Sequence, residues 1–331
     1  MRNRQIILES RPRGKVEASN FRMVEAGVPP VKEGEVLTRV RWLSLDPYMR
    51  GRMDEGPSYV APQPLGEVMG GGTVAEVLES RHPALRAGDL VVGMAGWQEY
   101  QVAGGGTLRK IDTSVAPASA YLGCLGMPGV TAWYGLGTIG KPKPGETVVV
   151  SAAAGAVGSV VGQLAKIAGC RAVGIAGGPA KCEHVVRQLG FDACVDYKAP
   201  TFREDLRAAT PKRIDVVFEN VGGAVLEAAL ARMNPFGRMA ICGLIAGYDG
   251  QELALRNPRA ILVNRLLVQG FIVSDHQALW PQAVAELAGH VASKRLTWHE
   301  TVAEGLELAP AAFMGMLKGA NLGKQLVRVA G

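Results

Sequence analysis

The chain has 331 residues, of which 48% are hydrophobic, and a formal net charge of +6. This length exceeds what one hydrophobic core usually supports, so two domains are expected. No stretch reaches the roughly 18 uninterrupted apolar residues that a membrane span requires, and the short apolar run near the start cannot act as a secretory signal. These features predict a cytoplasmic protein without a membrane partner.

Cysteine usage and charge narrow the class of protein further. Cys124, Cys170, Cys182, Cys194 and Cys242 are scattered without a C-x-x-C pair, which argues against a disulfide framework and a structural zinc site. We expect isolated buried thiols. The modest positive charge favours small anionic molecules at least as much as nucleic acid as partners. The charge forms no basic stripe between aromatic residues, so no nucleic-acid partner is expected.

From about residue 31 to residue 105, short apolar segments alternate with Gly/Pro turns. The segments are "EVLTRVRWLSL", "GGGTVAEVLES" and "GDLVVGMAGWQEYQVA". Their spacing predicts a compact antiparallel β-domain rather than βαβ units. The pattern changes after about residue 123.

Beyond that point, predicted strands alternate with predicted helices. The strands are "TVVVSA", "RAVGIAG", "ACVDY", "IDVVFENVGG", "GRMAICG" and "LLVQGFIV", and the helices between them include "AVGSVVGQLAKIAG", "PAKCEHVVRQLG", "FREDLRAAT" and "AVLEAALARMN". This alternation predicts an α/β domain with a doubly wound parallel sheet. A helix over "HQALWPQAVAELAGHVASKRL" follows, and the tail predicts one more helix and a closing strand that could belong to either domain.

The stretch "SAAAGAVGSVVGQLAKIAGC" (151–170) lies where a dinucleotide-binding turn is expected. Ala153, Gly155 and Gly158 occupy the three glycine places of G-x-G-x-x-G, and alanine is tolerable at the first if its φ is negative. A strand precedes the turn, a helix follows it, and a second strand arrives at 171–176. The context favours a nucleotide site over an ordinary strand-to-helix turn, because the helix N-terminus offers free N–H groups to an anion.

The end of the second strand indicates which nucleotide binds. An NAD site places Asp or Glu there to hold the ribose hydroxyls. This chain has "GIAGGPAK" instead, with no acid before Glu183 and with Lys181 as the nearest charged side chain. A cation among small residues suits a 2′-phosphate, so NADP(H) is the predicted cofactor. The alternative is that Lys181 is a solvated lysine on a helix surface.

A catalytic metal is not expected. Glu67 stands where the related strand-turn of zinc alcohol dehydrogenases carries a ligand histidine, and His82 has no cysteine near it in the sequence. Cys/His/Glu ligands at catalytic zinc spacing are therefore missing. The serine-hydrolase motif G-x-S-x-G and the P-loop motif are also absent from the sequence.

Several stretches together resemble a known family over essentially the whole chain. They are "DPYMRGRM" (46–53), "GMPGVTAWYGL" (126–136), "AAAGAVGSVVGQLAK" (152–166), "ENVGG" (219–223), "GRMAICGLIAGY" (237–248), "QGFIV" (269–273) and "PAAFMGMLKGANLGKQLV" (310–327). The chain resembles the zinc-free medium-chain dehydrogenase/reductase superfamily. It is most similar to the branch of leukotriene B4 12-hydroxydehydrogenase/prostaglandin reductase, plant alkenal double-bond reductases and bacterial curcumin reductase.

The resemblance implies a fold, an activity and an assembly. A GroES-like β-domain would comprise 1–122 with 300–331, and a Rossmann NADP-binding domain 123–299. The implied reaction is NADPH-dependent reduction of the carbon–carbon double bond of α,β-unsaturated ketones or aldehydes without zinc, in a homodimer. A zinc-free NADPH quinone reductase and a noncatalytic NADPH-binding or RNA-binding protein remain alternatives.

The resemblance also implies cofactor-binding residues. The turn matching Gly155, Ala156, Val157, Gly158 and Ser159 holds the pyrophosphate in this family, and Lys181 and Tyr197 match positions beside the 2′-phosphate. Positions lining the rest of the cofactor are matched by Asn220, Cys242, Gly243, Phe271, Val273 and Asn321. Some members carry a tyrosine shortly before the "GF" strand, whereas this chain has "AILVNRLLVQGF" without one.

A tyrosine hydroxyl is the expected donor to the substrate carbonyl, because hydride delivery to the β-carbon puts negative charge on that oxygen. Tyr48, Tyr59 and Tyr248 are weighed for this role, and Tyr59 and Tyr248 are the catalytic candidates, with Tyr59 favoured because it lies in a Pro/Gly-flanked loop. The cofactor's own ribose hydroxyl or a water could supply the remaining polar group. Tyr48 and Met127 join them as expected substrate contacts. The competing interpretations are a surface role for Tyr59, a core or hinge role for Tyr48, and a packing role for Met127.

Overall fold

The computed structural model describes residues 1–56 and 58–329; residues 330 and 331 of the predicted first domain, like residue 57, lie outside the described residues. The chain divides into two compact units. Unit 1 comprises Met1–Leu122 and the chain from Glu300 onward, and unit 2 comprises Gly123–His299.

The elements are numbered in chain order. The strands are β1 (Arg2–Leu8), β2 (Phe21–Gly27), β3 (Glu35–Ser44), β4 (Thr73–Ser80), β5 (Leu90–Gly93), β6 (Tyr100–Gly104), β7 (Arg109–Lys110), β8 (Thr147–Ser151), β9 (Arg171–Ala176), β10 (Ala193–Asp196), β11 (Ile214–Glu219), β12 (Met233–Ile241), β13 (Leu267–Gly270), β14 (Glu300–Glu304) and β15 (Lys324–Arg328). The α-helices are α1 (Tyr48–Arg52), α2 (Met127–Tyr134), α3 (Gly158–Ile167), α4 (Pro179–Arg187), α5 (Phe202–Ala209), α6 (Gly223–Leu230), α7 (Arg259–Asn264), α8 (Trp280–Ala292) and α9 (Ala309–Leu317).

Unit 1 is a β-domain, as the sequence predicts. Its main sheet has seven strands in the order β14-β15-β3-β4-β5-β7, with β6 also paired to β3, and β1 pairs with β2 in a separate sheet. The neighbours are antiparallel except β14 and β15. The core includes Trp97, which stacks on Phe21 with ring centroids 5.3 Å apart and meets the edge of Phe313. Because Phe313 lies on α9, the C-terminal tail contributes to this core.

The closing strand belongs to unit 1. β15 pairs with β3 in the antiparallel sense. The Lys324 ammonium lies 2.7 Å from the Asp46 carboxylate and donates to the Leu45 carbonyl, and both charged side chains are buried. This ion pair fastens the tail to the segment that follows β3.

Unit 2 is a parallel sheet with intervening helices, which confirms the α/β prediction. The strand order is β10-β9-β8-β11-β12-β13, and every neighbouring pair is parallel. Val148, Val149 and Val150 of the central strand β8 have no solvent exposure. A continuous apolar run of this kind is typical of a strand covered by helices on both faces.

The last predicted strand of unit 2 ends earlier in the structure than the sequence predicts. The predicted strand "LLVQGFIV" ends at Gly270, and a 3-10 helix begins at Val273 and passes into α8 at Trp280. Pro281 is in the first turn of α8, where its missing N–H removes no helical hydrogen bond. Among the described residues, no helix has both the length and the apolar character of a membrane span.

Candidate cofactor and substrate site

The sheet order of unit 2 has a topological switch point between β8 and β11. From β8 the chain builds β9 and β10 on one side and then crosses to β11 on the other side. In open α/β sheets, ligands bind at such a switch point. The segments that leave β8 and β11 are therefore the expected walls of a nucleotide site.

The turn after β8 accommodates alanine where a glycine is usual. Ala152 has a left-handed φ of 49°, whereas Ala153 does not adopt a positive φ. The Gly155 N–H donates to the Ala152 carbonyl at 2.9 Å and so closes the turn. The strained backbone position is thus Ala152, and the alanine at the first motif place keeps a conformation that any residue adopts.

The two glycines of the turn have different roles. A Cβ on Gly158 would lie 2.4 Å from the Ala152 carbonyl oxygen and 2.9 Å from its carbon, so backbone atoms would have to move. A Cβ on Gly155 would meet only that oxygen, at 3.1 Å. Gly158 is required for α3 to start against the strand, and Gly155 leaves the outer side of the turn open. Val157, the N-cap of α3, has no polar side chain to compete with an anion at this helix N-terminus, although the three N–H groups that follow Gly158 already donate to the Gly155 and Val157 carbonyls.

The turn after β9 brings cationic and phenolic groups over a glycine. A Cβ on Gly177 would lie 2.9 Å from the Tyr197 ring and 3.1 Å from the Lys198 side chain. Lys181 is half-buried in the first turn of α4. Burial and the neighbouring ammonium group of Lys198 lower the pKa of Lys181. Two ammonium groups that repel each other beside a tyrosine hydroxyl suit a phosphate dianion.

The carboxylate at this turn serves the backbone. Asp196, at the end of β10, accepts hydrogen bonds from the Gly178 N–H at 2.8 Å and from the Lys198 N–H at 2.9 Å. At the end of β9, where an NAD site has its acid, the chain has Gly177. The residues present therefore fit a 2′-phosphate better than a free ribose diol.

The end of β11 is fixed to the end of β8 by a buried network. Glu219 accepts hydrogen bonds from the N–H groups of Val221 and Gly222, both at 2.6 Å. Asn220 donates through its backbone N–H to the Ser151 hydroxyl and through its side chain to the Ser151 carbonyl, both at 2.7 Å. This network holds the 220–222 turn at the carboxyl edge of the sheet.

Glu219 has an unusual electrostatic environment. Its side chain is fully buried, and burial raises its pKa from 4.5 to about 7 against the opposing hydrogen bonds from backbone N–H groups and from the Ser151 side chain. The Oε2 atom has no hydrogen-bond partner among the described residues. Sequence reasoning did not single out Glu219, Ser151 or Lys198, although Glu219 opens the "ENVGG" stretch and Lys198 follows Tyr197.

The remaining unit 2 candidates follow β12 and β13. The N–H groups of Cys242 and Gly243 donate to the Glu219 carbonyl, and burial raises the pKa of Cys242 to about 12, so its thiol stays protonated. Phe271 packs against the ring of Tyr134, with centroids 5.4 Å apart. Val273 is buried at the start of its 3-10 helix. Met127 begins α2 and Tyr248 follows the 3-10 helix Ile245–Gly247, and both are half-buried.

Three predicted site residues lie in unit 1. Tyr48 starts α1 and packs against the unit 1 core, and burial and the Asp46 carboxylate raise its pKa. Tyr59 is 61% exposed and is an electrostatic neighbour of Tyr48. Asn321 donates through its side chain to the Gly323 carbonyl at 2.8 Å.

Known proteins match the chain along its length. A family model described as the N-terminal domain of oxidoreductase matches residues 4–111, and one described as zinc-binding dehydrogenase matches residues 156–289. The NADPH-dependent curcumin reductase of Escherichia coli is 46% identical, covering 100% of this chain and 98% of that protein. The chain belongs to the medium-chain dehydrogenase/reductase family.

Further similarity defines the branch of this family. The NADP(+)-dependent 2-alkenal reductase of Nicotiana tabacum is 40% identical, covering 99% of this chain and 98% of that protein. The crystal structure of CurA from Vibrio vulnificus in complex with NADPH superposes with a TM-score of 0.95, at 42% identity and 99% coverage of both chains. The predicted GroES-like domain followed by a Rossmann sheet is confirmed. Within residues 1–56 and 58–329 of this family member, no group of three His, Cys, Asp or Glu side chains is arranged to hold a metal ion.

Proposed function

We propose that the chain reduces the carbon–carbon double bond of α,β-unsaturated ketones and aldehydes with NADPH. Tyr197 and Lys198 lie over Gly177, and Lys198 is an electrostatic neighbour of Lys181. The observation that carries the proposal is this cationic cluster at a strand end that lacks an acid. It adjoins a glycine turn at the switch point of the sheet. The relatives named above as NADPH-dependent curcumin reductase and 2-alkenal reductase support the same reaction.

The residues of unit 2 bind and orient the cofactor in this proposal. NADPH, when bound, supplies the hydride, so the protein has mainly to hold two reactants in position. Gly155 to Ser159 would hold the pyrophosphate, and Lys181 and Tyr197 the 2′-phosphate. Asn220, Cys242, Gly243, Phe271 and Val273 would line the rest of the cofactor, with Asn321 contributed by the tail.

Lys181 provides the test of cofactor choice. A hydrogen bond to a charged group contributes about 1.5–3 kcal/mol, so Lys181→Ala should lower kcat/KM for NADPH by roughly 10-fold to 100-fold. NADH has no 2′-phosphate, and its kcat/KM should change little. Lys212→Ala, which removes an exposed lysine of the same unit, is the matched control. An equal loss of kcat/KM with NADPH and with NADH would contradict the proposed contact between Lys181 and the 2′-phosphate.

A tyrosine is proposed to stabilise the enolate oxygen that forms when hydride reaches the β-carbon. Tyr59 is the first candidate, because it lies in a Pro/Gly-flanked loop and its side chain is exposed, and Tyr248 is the second. Tyr48 and Met127 would contact the substrate. Tyr59→Phe should reduce kcat/KM for an enone by about tenfold or more, as loss of an oxyanion donor usually does.

Matched tyrosine variants distinguish the candidates. Tyr100→Phe alters a half-buried tyrosine on β6 of the same unit and should leave turnover unchanged. If Tyr59→Phe stays within about twofold of wild type while Tyr248→Phe loses activity, the donor is Tyr248 rather than Tyr59.

Substrate class is tested by NADPH consumption with a panel of alkenals, aryl enones, keto-prostaglandins and quinones. Faster turnover of 1,4-benzoquinone than of any enone would assign the chain to the zinc-free quinone reductases instead. No NADPH oxidation with any enone, together with salt-dependent oligonucleotide binding, would indicate a noncatalytic RNA-binding role. The cytoplasmic location inferred from the sequence stays a prediction.

We further propose a homodimer formed through the β13 end of the unit 2 sheet. β13 is the last strand in the sheet order, and Leu262, Val263 and Leu267 near it are 77%, 50% and 48% exposed. Among residues 1–56 and 58–329, the outer edge of β13 has no strand partner, and such an edge beside exposed apolar side chains favours association with a second copy. Leu262→Glu should shift the sedimentation equilibrium toward monomer, whereas Leu65→Glu, at another exposed leucine, should not.

A further inference from the structure

Two cysteines of unit 2 are in contact, contrary to the expectation of isolated buried thiols. Cys182 lies in the first turn of α4 and Cys194 on β10, with their sulfur atoms 3.0 Å apart. Both residues are partly exposed. The sequence did not indicate the pair, because the two residues belong to different elements that come together only when α4 packs on β10.

The packing around Cys194 holds the two sulfurs at this distance. A Cβ on Gly174 of β9 would lie 3.2 Å from the Cys194 sulfur and 2.9 Å from the Val185 side chain of α4. Gly174 therefore provides the space that the Cys194 side chain occupies beneath the helix. Closing a disulfide from this geometry requires the sulfurs to approach by only about 1 Å.

The two thiols differ in reactivity. The hydrogen bond donated by the Cys194 thiol lowers the pKa of Cys182, and the same interaction together with burial raises the pKa of Cys194. The thiolate is the nucleophile in cysteine chemistry. Cys182 is thus suited to react first with an oxidant and Cys194 to resolve the product.

We propose that Cys182 and Cys194 are a redox-active dithiol that hydrogen peroxide oxidises reversibly to an intramolecular disulfide. The Cys182 thiolate attacks one peroxide oxygen, the O–O bond breaks, and the departing hydroxide takes a proton to leave as water, giving Cys182 sulfenic acid. The Cys194 sulfur then attacks the Cys182 sulfur and loses its proton. The S–S bond forms, and the sulfenic oxygen leaves as a second water. The two thiols lose two electrons and the peroxide gains them.

The dithiol adjoins the proposed 2′-phosphate site. Cys182 directly follows Lys181, and Asp196, two residues after Cys194, binds the backbone of Gly178 and Lys198. A phosphate dianion at Lys181 disfavours the nearby thiolate and so slows its oxidation. This second step rests on the proposed function. NADP⁺ at saturation should slow disulfide formation several-fold, and NAD⁺ at the same concentration should not.

The test uses the reduced full-length protein treated with hydrogen peroxide and analysed by intact mass and peptide mapping. The expected result is a loss of about 2 Da, the two hydrogen atoms of the thiols, with one peptide pair joined through Cys182 and Cys194 and full reversal by dithiothreitol. Cys182→Ser and Cys194→Ser should each abolish the link. Cys170→Ser changes a buried cysteine elsewhere in unit 2 and should leave the link intact.

The outcomes separate this proposal from the proposed function. Wild-type protein that retains all five thiols, or that links a different pair, overturns the dithiol whatever the activity with NADPH. A Cys182–Cys194 link that forms equally fast with and without NADP⁺ supports the dithiol and contradicts the phosphate contact at Lys181. A link that NADP⁺ alone slows supports both.

Discussion

The buried carboxyl group of Glu219 is expected to make the stability of unit 2 fall as the pH rises through neutrality. Burial raises its pKa from 4.5 to about 7. Between these values the folded protein keeps the proton and the unfolded chain releases it. The stabilisation is therefore complete below pH 4.5 and is lost as the pH rises through about 7. Glu219→Gln removes this titration, because the glutamine amide does not ionise. The amide oxygen still provides an acceptor for the N–H groups of Val221 and Gly222.

The size of the effect follows from the shift. Each pKa unit corresponds to about 1.4 kcal/mol, so a shift from 4.5 to about 7 corresponds to about 3 kcal/mol in the limit of high pH. Glu219 is fully buried, so solvent screening does not reduce this value substantially. From about pH 5 to about pH 8, the unfolding free energy of Glu219→Gln should rise by about 2 kcal/mol relative to wild type.

Urea unfolding at a series of pH values, followed by tryptophan fluorescence, measures this difference. Glu204→Gln, which alters an exposed carboxylate in the first turn of α5, is the control and should follow wild type. Parallel pH profiles for wild type and Glu219→Gln would refute the reasoning. A variant that loses stability relative to wild type as the pH rises would show that folding favours the ionised carboxylate.

Other substitutions test the turn and the buried ion pair. Gly158→Ala places a carbon 2.4 Å from the Ala152 carbonyl oxygen. This variant should lower the free energy of unfolding, measured by thermal unfolding, by about 3 kcal/mol. Gly155→Ala should fold normally but raise KM for NADPH about tenfold through lost approach to the pyrophosphate; equal melting temperatures for the two variants would contradict this division of roles. Lys324→Met leaves the buried Asp46 carboxylate without its cation and should cost about 3–5 kcal/mol. Adding Asp46→Asn should recover part of that loss, and an unchanged melting temperature in the single variant would show that the ion pair contributes no net stability.

The sequence predicts the parts of the molecule that depend on local order. The β8-turn-α3-β9 unit is readable because a strand, a glycine turn and a helix follow one another within 147–176, and the missing acid at Gly177 is visible at a fixed spacing. The cofactor choice could therefore be inferred before the structure. The predicted end of β13 was wrong. The stretch "GFIV" has strand propensity, but the strand ends at Gly270 and Phe271 packs on Tyr134 instead.

Features that depend on contacts between distant elements could not be predicted. Ser151 and Glu219 lie 68 positions apart in the chain, and only the strand order brings β8 beside β11. Cys182 and Cys194 share no motif, and their contact depends on how α4 packs. Tyr59 lies in a loop whose conformation no sequence periodicity determines, so kinetic measurements on its variants are needed to test its role.

The turn after β9 indicates why cofactor preference in this chain is set by more than one charge. An acid at Gly177, the place where an NAD site has one, would put its Cβ 2.9 Å from the Tyr197 ring. Asp196 cannot substitute for it without giving up the backbone donors Gly178 and Lys198, which hold the turn. A change toward NAD therefore requires the Tyr197 ring to move as well as Lys181 to be replaced. At this proposed 2′-phosphate site, selection of the phosphate would therefore depend on the packing of the turn as well as on the lysine charges.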